Sequence, residues 1–191
     1  AHYAKKTVDI EYLYPWGWGE LEGIANRGNY DLSSHQKNSG KDLTYFDSIK
    51  DEKYLPSVIE PAGGLTRTLF ALLLSVYDEE KLENDETRTL FRFIFELAPI
   101  QIGILPLSKK DDLIEVCNEI NKILNKDYRT EVDITQSIGK RYRRQDEIGT
   151  PYCITVDFES LEDNSVTIRD RDTMKQERIS IDKLSEYFEK L

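Results

Sequence analysis

Apolar and polar positions alternate at once: Val8, Ile10, Tyr12 and Tyr14 share one side of a strand with period two. Pro15 and the glycines of PWGWG end it, and residues 19–25 read as a second strand. Residues 31–40, DLSSHQKNSG, predict a short polar helix capped by Asp31 and stopped by Gly40. Residues 47–56 are charged and loop-like. PSVIEP predicts a buried strand. Residues 65–78, LTRTLFALLLSVYD, predict a helix that is apolar almost all round and therefore deeply buried. The acidic run EEKLENDET, 79–87, reads as a solvated loop, and 89–95 as a strand leading to a boundary at Pro99.

The pattern after Pro99 is cleaner. Residues 100–105 form an apolar strand, and Leu113, Val116, Cys117, Ile120, Ile123 and Leu124 recur at helical spacing. A basic helix or turn follows at 137–147, then an apolar strand at 152–158. A hairpin pairs 165–169 with 177–181, and Ile181, Leu184, Tyr187, Phe188 and Leu191 mark one face of a closing helix. Strands alternating with helices predict an α/β layer with a mixed sheet.

Composition narrows the classes. The 191 residues are 39% hydrophobic and 32% charged, enough for a core and for solubility. No apolar run approaches the roughly 18 residues of a membrane span, so no membrane role is expected. The start, AHYAKKTVDIEY, has neither an initiator Met nor a signal-peptide core, and reads as an internal stretch of a longer protein. Two cysteines, Cys117 and Cys153, exclude a disulfide scaffold and a cysteine-based zinc cluster, and fit a reducing cytoplasm. Both fall on apolar faces and are expected to be buried, inert thiols. The net charge of −10 divides as −6 up to Glu96 and −4 after it, so neither half is a non-specific polyanion binder. A specific RNA partner would need its cations clustered.

Three clusters could carry chemistry. In Glu60-Pro61-Ala62-Gly63-Gly64-Leu65-Thr66-Arg67 a strand ends in a carboxylate, two glycines follow and a helix begins. Glycines admit a ligand to the backbone, a helix start favours an anion, and Arg67 offers a planar cation for stacking on a base. The same residues fit an ordinary strand-to-helix turn. Glu20 and Glu22, two apart on a strand, put two carboxylates on one face, which suits magnesium or an amine, or simply a solvated edge. Lys140, Arg141, Arg143 and Arg144 surround Tyr142, which suits phosphates and bases, or a solvated helix face balanced by Asp146 and Glu147. The run Arg169-Asp170-Arg171-Asp172 alternates in sign and is expected to neutralise itself. His2 and His35 have no ligand spacing.

Taken together, AHYAKKTVDIEY, GWGELEGIANR followed by YDLSSHQ, PSVIEPAGGLTR, LAPIQIGILPL, IGKRYRRQDEIGTPYCITVD and VTIRDRDTMKQERI resemble one family, glycyl-tRNA synthetase of the dimeric class II type. The phrases run in the family's order and cover nearly the whole chain. The resemblance implies that residues 1–96 are the C-terminal part of a class II catalytic domain built on an antiparallel sheet. It implies that 97–191 are an anticodon-binding α/β domain with a mixed five-stranded sheet and three helices.

The resemblance further implies ATP-dependent activation of glycine to glycyl-adenylate and transfer to glycine tRNA. ATP enters with Mg2+ as a substrate complex, with no tightly bound cofactor, and the parent is a cytoplasmic homodimer. Glu60 would pair with the ammonium of glycine, and Glu60, Pro61, Ala62, Gly63 and Gly64 would wall its pocket. Gly64, Leu65, Thr66 and Arg67 would lie by ATP, with Arg67 against the adenine. Glu20 and Leu21 would add an ATP contact, with Glu20 able to hold magnesium. Lys140, Arg141, Arg143 and Arg144 would meet the tRNA. The chain has Ala62 where the family usually has serine, which takes away a hydroxyl, and Gly28-Asn29 where Thr-Asp is frequent. The first two class II motifs, one dimer-forming and one carrying an arginine, would lie before Ala1, making the chain a C-terminal portion inactive by itself. The competing expectation is a non-catalytic tRNA-binding module or a synthetase-like regulatory protein.

Overall fold

The alternation at the start of the chain becomes β1 (Lys6–Tyr14), which turns through Pro15 into β2 (Gly17–Gly28). The two pair antiparallel with a bulge between Ile10 and Glu11 that leaves Leu21 out of the ladder. The computed structural model describes residues 4–82 and 85–190. His2 and Leu191 lie outside them. The contacts divide the chain between Ser75 and Val76 into two units.

In the first unit α1 (Tyr30–Ser39) follows β2, and Gly40 ends it in the left-handed region at φ 67°, its N–H donating to the Gln36 carbonyl at 3.0 Å. Its cap position is Asn29, not Asp31: Asp31 falls in the first turn and its carboxylate is taken by Arg27. His35 is exposed on this helix. The stretch expected as loop holds a small hairpin, β3 (Tyr45–Asp47) and β4 (Glu52–Tyr54). β5 (Val58–Gly63) then completes the sheet in the order β1-β2-β5, all antiparallel.

Two burial expectations fail here. β5 is an edge strand with partly open residues throughout, not a buried one. Helix α2 (Leu65–Val76) buries only Ala71, and Leu65 is 85% exposed. An apolar pattern registers that a surface favours burial, not that a partner within these residues covers it.

The second unit opens with a correction. The acidic run expected as loop contributes β6 (Tyr77–Lys81), which pairs with β7 (Thr87–Phe91) as a hairpin. A parallel core follows: β8 (Ile102–Pro106), buried along its length, α3 (Asp111–Leu124) and β9 (Thr130–Val132). Then come α4 (Ile138–Ile148), β10 (Tyr152–Val156), the short α5 (Ser160–Asp163), and the hairpin of β11 (Ser165–Asp170) with β12 (Gln176–Ser180). A 3-10 turn over Ile181–Lys183 leads into α6 (Leu184–Phe188).

The sheet runs β12-β11-β10-β8-β9, with β8 parallel to β9 and β10, and β11 antiparallel to both neighbours. This is the expected mixed five-stranded sheet. Ile102, Ile104, Ile154, Val166 and Ile168 bury against Leu113, Cys117, Ile120 and Leu124 of α3 and Leu184 and Phe188 of α6. At about 25 cal/mol per Å2 of apolar area, that cluster is the main source of the unit's stability. α4 packs instead against β7 and β8. No helix of the described residues is long and apolar enough to cross a membrane.

Candidate functional site

The strand pairing that sets Ala25 opposite Glu60 brings Arg27 beside the start of β5. Arg27 Nη1 donates to Glu60 Oε2 at 2.7 Å, while its Nε and Nη2 hold both oxygens of Asp31 at 2.5 and 2.7 Å. Hydrogen bonds from Arg27 hold the Asp31 carboxyl below its ordinary range. Among the described residues, two carboxylates thus share one guanidinium. The Glu60 side chain is 44% exposed and can take a further cation. Beside it Pro61, Ala62, Gly63 and Gly64 are exposed and present almost no side-chain volume. The arrangement suits a small ammonium compound, with the backbone reachable past two glycines.

Arg67, in the first turn of α2, reaches back to β2. Its Nη1 donates to the Glu20 carbonyl at 2.8 Å and lies 3.9 Å from Glu20 Oε1. Glu20, Thr66 and Arg67 line a cleft of about 410 Å3 whose remaining walls are Tyr14, Trp16, Gly19 and Phe70. The three rings are nearly parallel: Tyr14 and Trp16 centroids are 5.1 Å apart at 2°, and Trp16 and Phe70 5.7 Å apart at 8°. Gly19 permits this, since a Cβ there would stand 3.1 Å from the Tyr14 ring. The Tyr14 hydroxyl is buried without a hydrogen-bond partner among the described residues, an arrangement that costs free energy unless something polar satisfies it. An aromatic ledge facing a guanidinium fits a planar heterocycle stacked between them.

These rings were not singled out from the sequence, where PWGWG read only as a strand terminator. The available signal was aromatic residues inside a glycine turn. Leu21 and Leu65 do not line the cleft. Glu20 and Glu22 form no metal centre: among the described residues no three His, Cys, Asp or Glu side chains are placed to hold an ion. Magnesium would need its other ligands from a bound phosphate.

The cationic cluster of the second unit does not survive as drawn. Arg141 is 1% exposed and spends its guanidinium on backbone carbonyls: Ile134 at 2.9 Å, Gln136 at 2.7 Å, Thr135 at 3.3 Å, and Pro106. It ties α4 to the loop after β9. Arg144 Nη2 pairs with Asp133 at 2.6 Å and Arg143 Nη2 with Glu86 at 2.5 Å, rather than with Asp146 and Glu147. Burial pushes Asp133 up, but hydrogen bonds from Thr135 and Arg144 outweigh it and hold the carboxyl below its ordinary range. Lys140, Arg143 and Arg144 still line an open cleft of about 320 Å3 with Gln136 and Glu147. Lys140 makes no ion pair among the described residues.

The sign-alternating run also resolves differently. Arg171 does pair with Asp172, but Arg169 turns inward to Asp146 at 2.9 Å and stacks over the Tyr142 ring at 4.8 Å. Cys117 and Cys153 are buried, as expected, and burial pushes both thiols up to about 12.

Comparison with known proteins bears on both units. Residues 101–191 match the family model described as an anticodon binding domain. The whole chain is 58% identical to the glycine–tRNA ligase of Agathobacter rectalis, covering 41% of that protein. Over 98% of the chain it is 52% identical to the glycine–tRNA ligase of Clostridium kluyveri, and over 99% it is 56% identical to that of Ruminiclostridium cellulolyticum, covering 40% of each. The chain therefore spans about two fifths of the length of the curated relatives it matches.

Proposed function

We propose, from its identity of 52–58% to glycine–tRNA ligases over nearly its whole length, that the chain is the C-terminal portion of an enzyme that activates glycine with ATP and passes the glycyl group to glycine tRNA. In this reading residues 1–96 close a class II catalytic domain and 97–191 bind the anticodon arm. The enzyme works as a homodimer in the cytoplasm, and ATP arrives with magnesium as a substrate complex.

The carrying observation is the segment from Glu60 to Arg67, which carries an open carboxylate and one side of an aromatic–guanidinium cleft on one strand, turn and helix. Glu60, partnered by Arg27, takes the ammonium of glycine. Ala62, Gly63 and Gly64 leave the backbone beside it open to a small substrate. Arg67 covers the adenine against the aromatic ledge, and Glu20 approaches the metal–phosphate end. Adenylation uses the substrate's own carboxylate as nucleophile, so these residues act by orientation and charge rather than by covalent chemistry. In the second unit Lys140, Arg143 and Arg144 meet RNA phosphates, while Arg141 supports α4 from within.

The test is glycine-dependent pyrophosphate exchange by a full-length ligase carrying this segment, with Glu60→Gln and Arg67→Ala. Losing a charge-assisted bond is worth about 1.5–3 kcal/mol, or about 10- to 150-fold. Glu60→Gln should show that loss in glycine kcat/KM with the ATP KM little changed, and Arg67→Ala the converse. Unchanged glycine kinetics in Glu60→Gln would remove the pocket assignment. Absent exchange with intact tRNA binding would favour the non-catalytic module.

A further inference from the structure

We propose that Arg27 and Asp31 are positioning residues for glycine activation: the Asp31 carboxylate fixes the guanidinium plane, and the guanidinium holds one oxygen of Glu60 so that the other is presented to the substrate ammonium. The inference deepens the pocket reading above and rests on it.

The backbone aims Arg27 through an irregularity in the sheet. Asn26 stands opposite Ile59 and Gly28 opposite Val58, so Arg27 is an extra residue of β2 with no partner on β5. Such a bulge bends its strand and re-aims the side chain it inserts. Gly28 follows in the left-handed region at φ 55°, where a side chain is costly, and its N–H donates to Asn26 Oδ1 at 3.1 Å. The chain then enters α1 at Tyr30, which puts Asp31 in the first helical turn, four residues on from Arg27. Three elements therefore meet in one line of contacts: α1 through Asp31, β2 through Arg27 and β5 through Glu60.

Arg27 divides its donors unevenly. Asp31 takes Nε at 2.5 Å and Nη2 at 2.7 Å, a two-pronged pair that locks the plane of the guanidinium. Glu60 receives Nη1 alone, at 2.7 Å on Oε2, and its Oε1 has no partner among the described residues. The Arg27 and Asp31 side chains are 20% and 23% exposed against 44% for Glu60, so the clamp is the more buried part and the carboxylate it holds is the open one. Without Asp31 the guanidinium is free to turn its fork on Glu60 and occupy both oxygens, in competition with an ammonium. Without Arg27 the Glu60 carboxylate loses the donor that fixes it and rotates freely.

The experiment is glycine-dependent pyrophosphate exchange by a full-length ligase carrying this segment, with kinetics read for glycine and for ATP. The variants are Arg27→Ala, Arg27→Lys and Asp31→Asn, each alone and combined with Glu60→Gln. Arg27→Ala and Asp31→Asn should each lower glycine kcat/KM about tenfold, within the loss that a slightly misplaced group brings, with the ATP KM unchanged. Arg27→Lys keeps a cation without the planar fork and should fall between wild type and Arg27→Ala. In the Glu60→Gln background the same substitutions should change glycine kcat/KM less than about twofold, because changes within one network do not add. A clamp that only joins α1 to the sheet lowers activity by the same factor in both backgrounds, and that result overturns the inference. Undiminished glycine kcat/KM in Asp31→Asn and Arg27→Ala overturns it equally. Should circular dichroism show Arg27→Ala unfolded, Asp31→Asn and Arg27→Lys decide by the same comparison. If Glu60→Gln itself leaves glycine kinetics unchanged, the failure lies in the pocket reading, and the inference falls with it.

Discussion

Asp146 gives the sharpest test of how the second unit holds α4. It is 2% exposed and accepts Arg88 Nε at 2.8 Å and Arg169 Nη1 and Nη2 at 2.9 and 3.2 Å. Arg88, also 2% exposed, sends its other donors to Glu80 at 2.9 Å and the Arg171 carbonyl at 2.6 Å. One carboxylate of α4 therefore gathers β7 and β11. Asp146→Asn keeps the volume but leaves two buried guanidiniums around a neutral amide whose NH2 must face a donor. Removing one partner of a buried pair costs about 3–5 kcal/mol. Glu80 still compensates part of Arg88, so the low end, about 3 kcal/mol, is expected. For a unit of this size that is a fall of about 12 °C in Tm. Thermal and guanidinium unfolding followed by circular dichroism measures it. Adding Arg169→Gln rebalances the charge and should recover at least about 1 kcal/mol. The exposed pair supplies the contrast: Arg143→Ala should cost under about 1 kcal/mol. If Asp146→Asn melts within about 2 °C of wild type, the network does not hold α4 and the reasoning fails.

Iodoacetamide at pH 8 should leave Cys117 and Cys153 unmodified in the native chain and alkylate both after unfolding. Because their folded pKa values are raised to about 12 from an ordinary value near 8.5, the stability they contribute is present below about pH 8.5 and lost as pH rises towards 12. Asp133 runs the other way: its carboxyl is held low, so its contribution is present above about pH 4 and fades as pH falls through the folded value, readable as an acid-side loss absent in Asp133→Asn. Gly149→Ala should destabilise well beyond Gly40→Ala in the same melts. Both have positive φ, 85° and 67°, worth about 1–2 kcal/mol, but a Cβ at Gly149 would stand 2.5 Å from the Phe93 ring and 2.9 Å from the Phe91 carbonyl, while Gly40 faces open space. Lys140→Ala should weaken RNA binding about equally for stem-loops of any sequence and lower the salt slope by about one, whereas a change confined to one sequence would make it a base contact.

β8, β10 and α3 were legible because the strands are apolar runs with clean breaks and the helix repeats at helical spacing, signals that depend only on neighbours in the chain, whereas the count of five strands came from the family resemblance. β9 escaped because three residues carry no period. A strand was expected over 89–95, but β6 and its pairing with β7 escaped because β6 is polar and the partner that holds Arg88 of β7, Asp146, lies 58 residues away. The same limit governs Arg141, Arg143 and Arg144. A run of cations shows charge, but whether a guanidinium meets solvent, a carboxylate or buried carbonyls depends on the fold. Glu60 and Arg67 stood out in the sequence through the strand, glycine pair and helix start that they flank, whereas the Tyr14–Trp16–Phe70 ledge needed two distant segments brought together. The all-apolar α2 was misjudged because hydrophobicity names no partner.

The central claim is that these residues serve a ligase specific for glycine tRNA, and its most direct test needs only the chain itself. Filter binding at one fixed salt concentration compares intact glycine tRNA, the same tRNA with both final anticodon cytosines replaced by uracil, and an unrelated tRNA. The predicted result is tighter binding of glycine tRNA by at least tenfold over the unrelated tRNA, with the replaced form falling to the unrelated level. Equal affinity for all three would contradict the account.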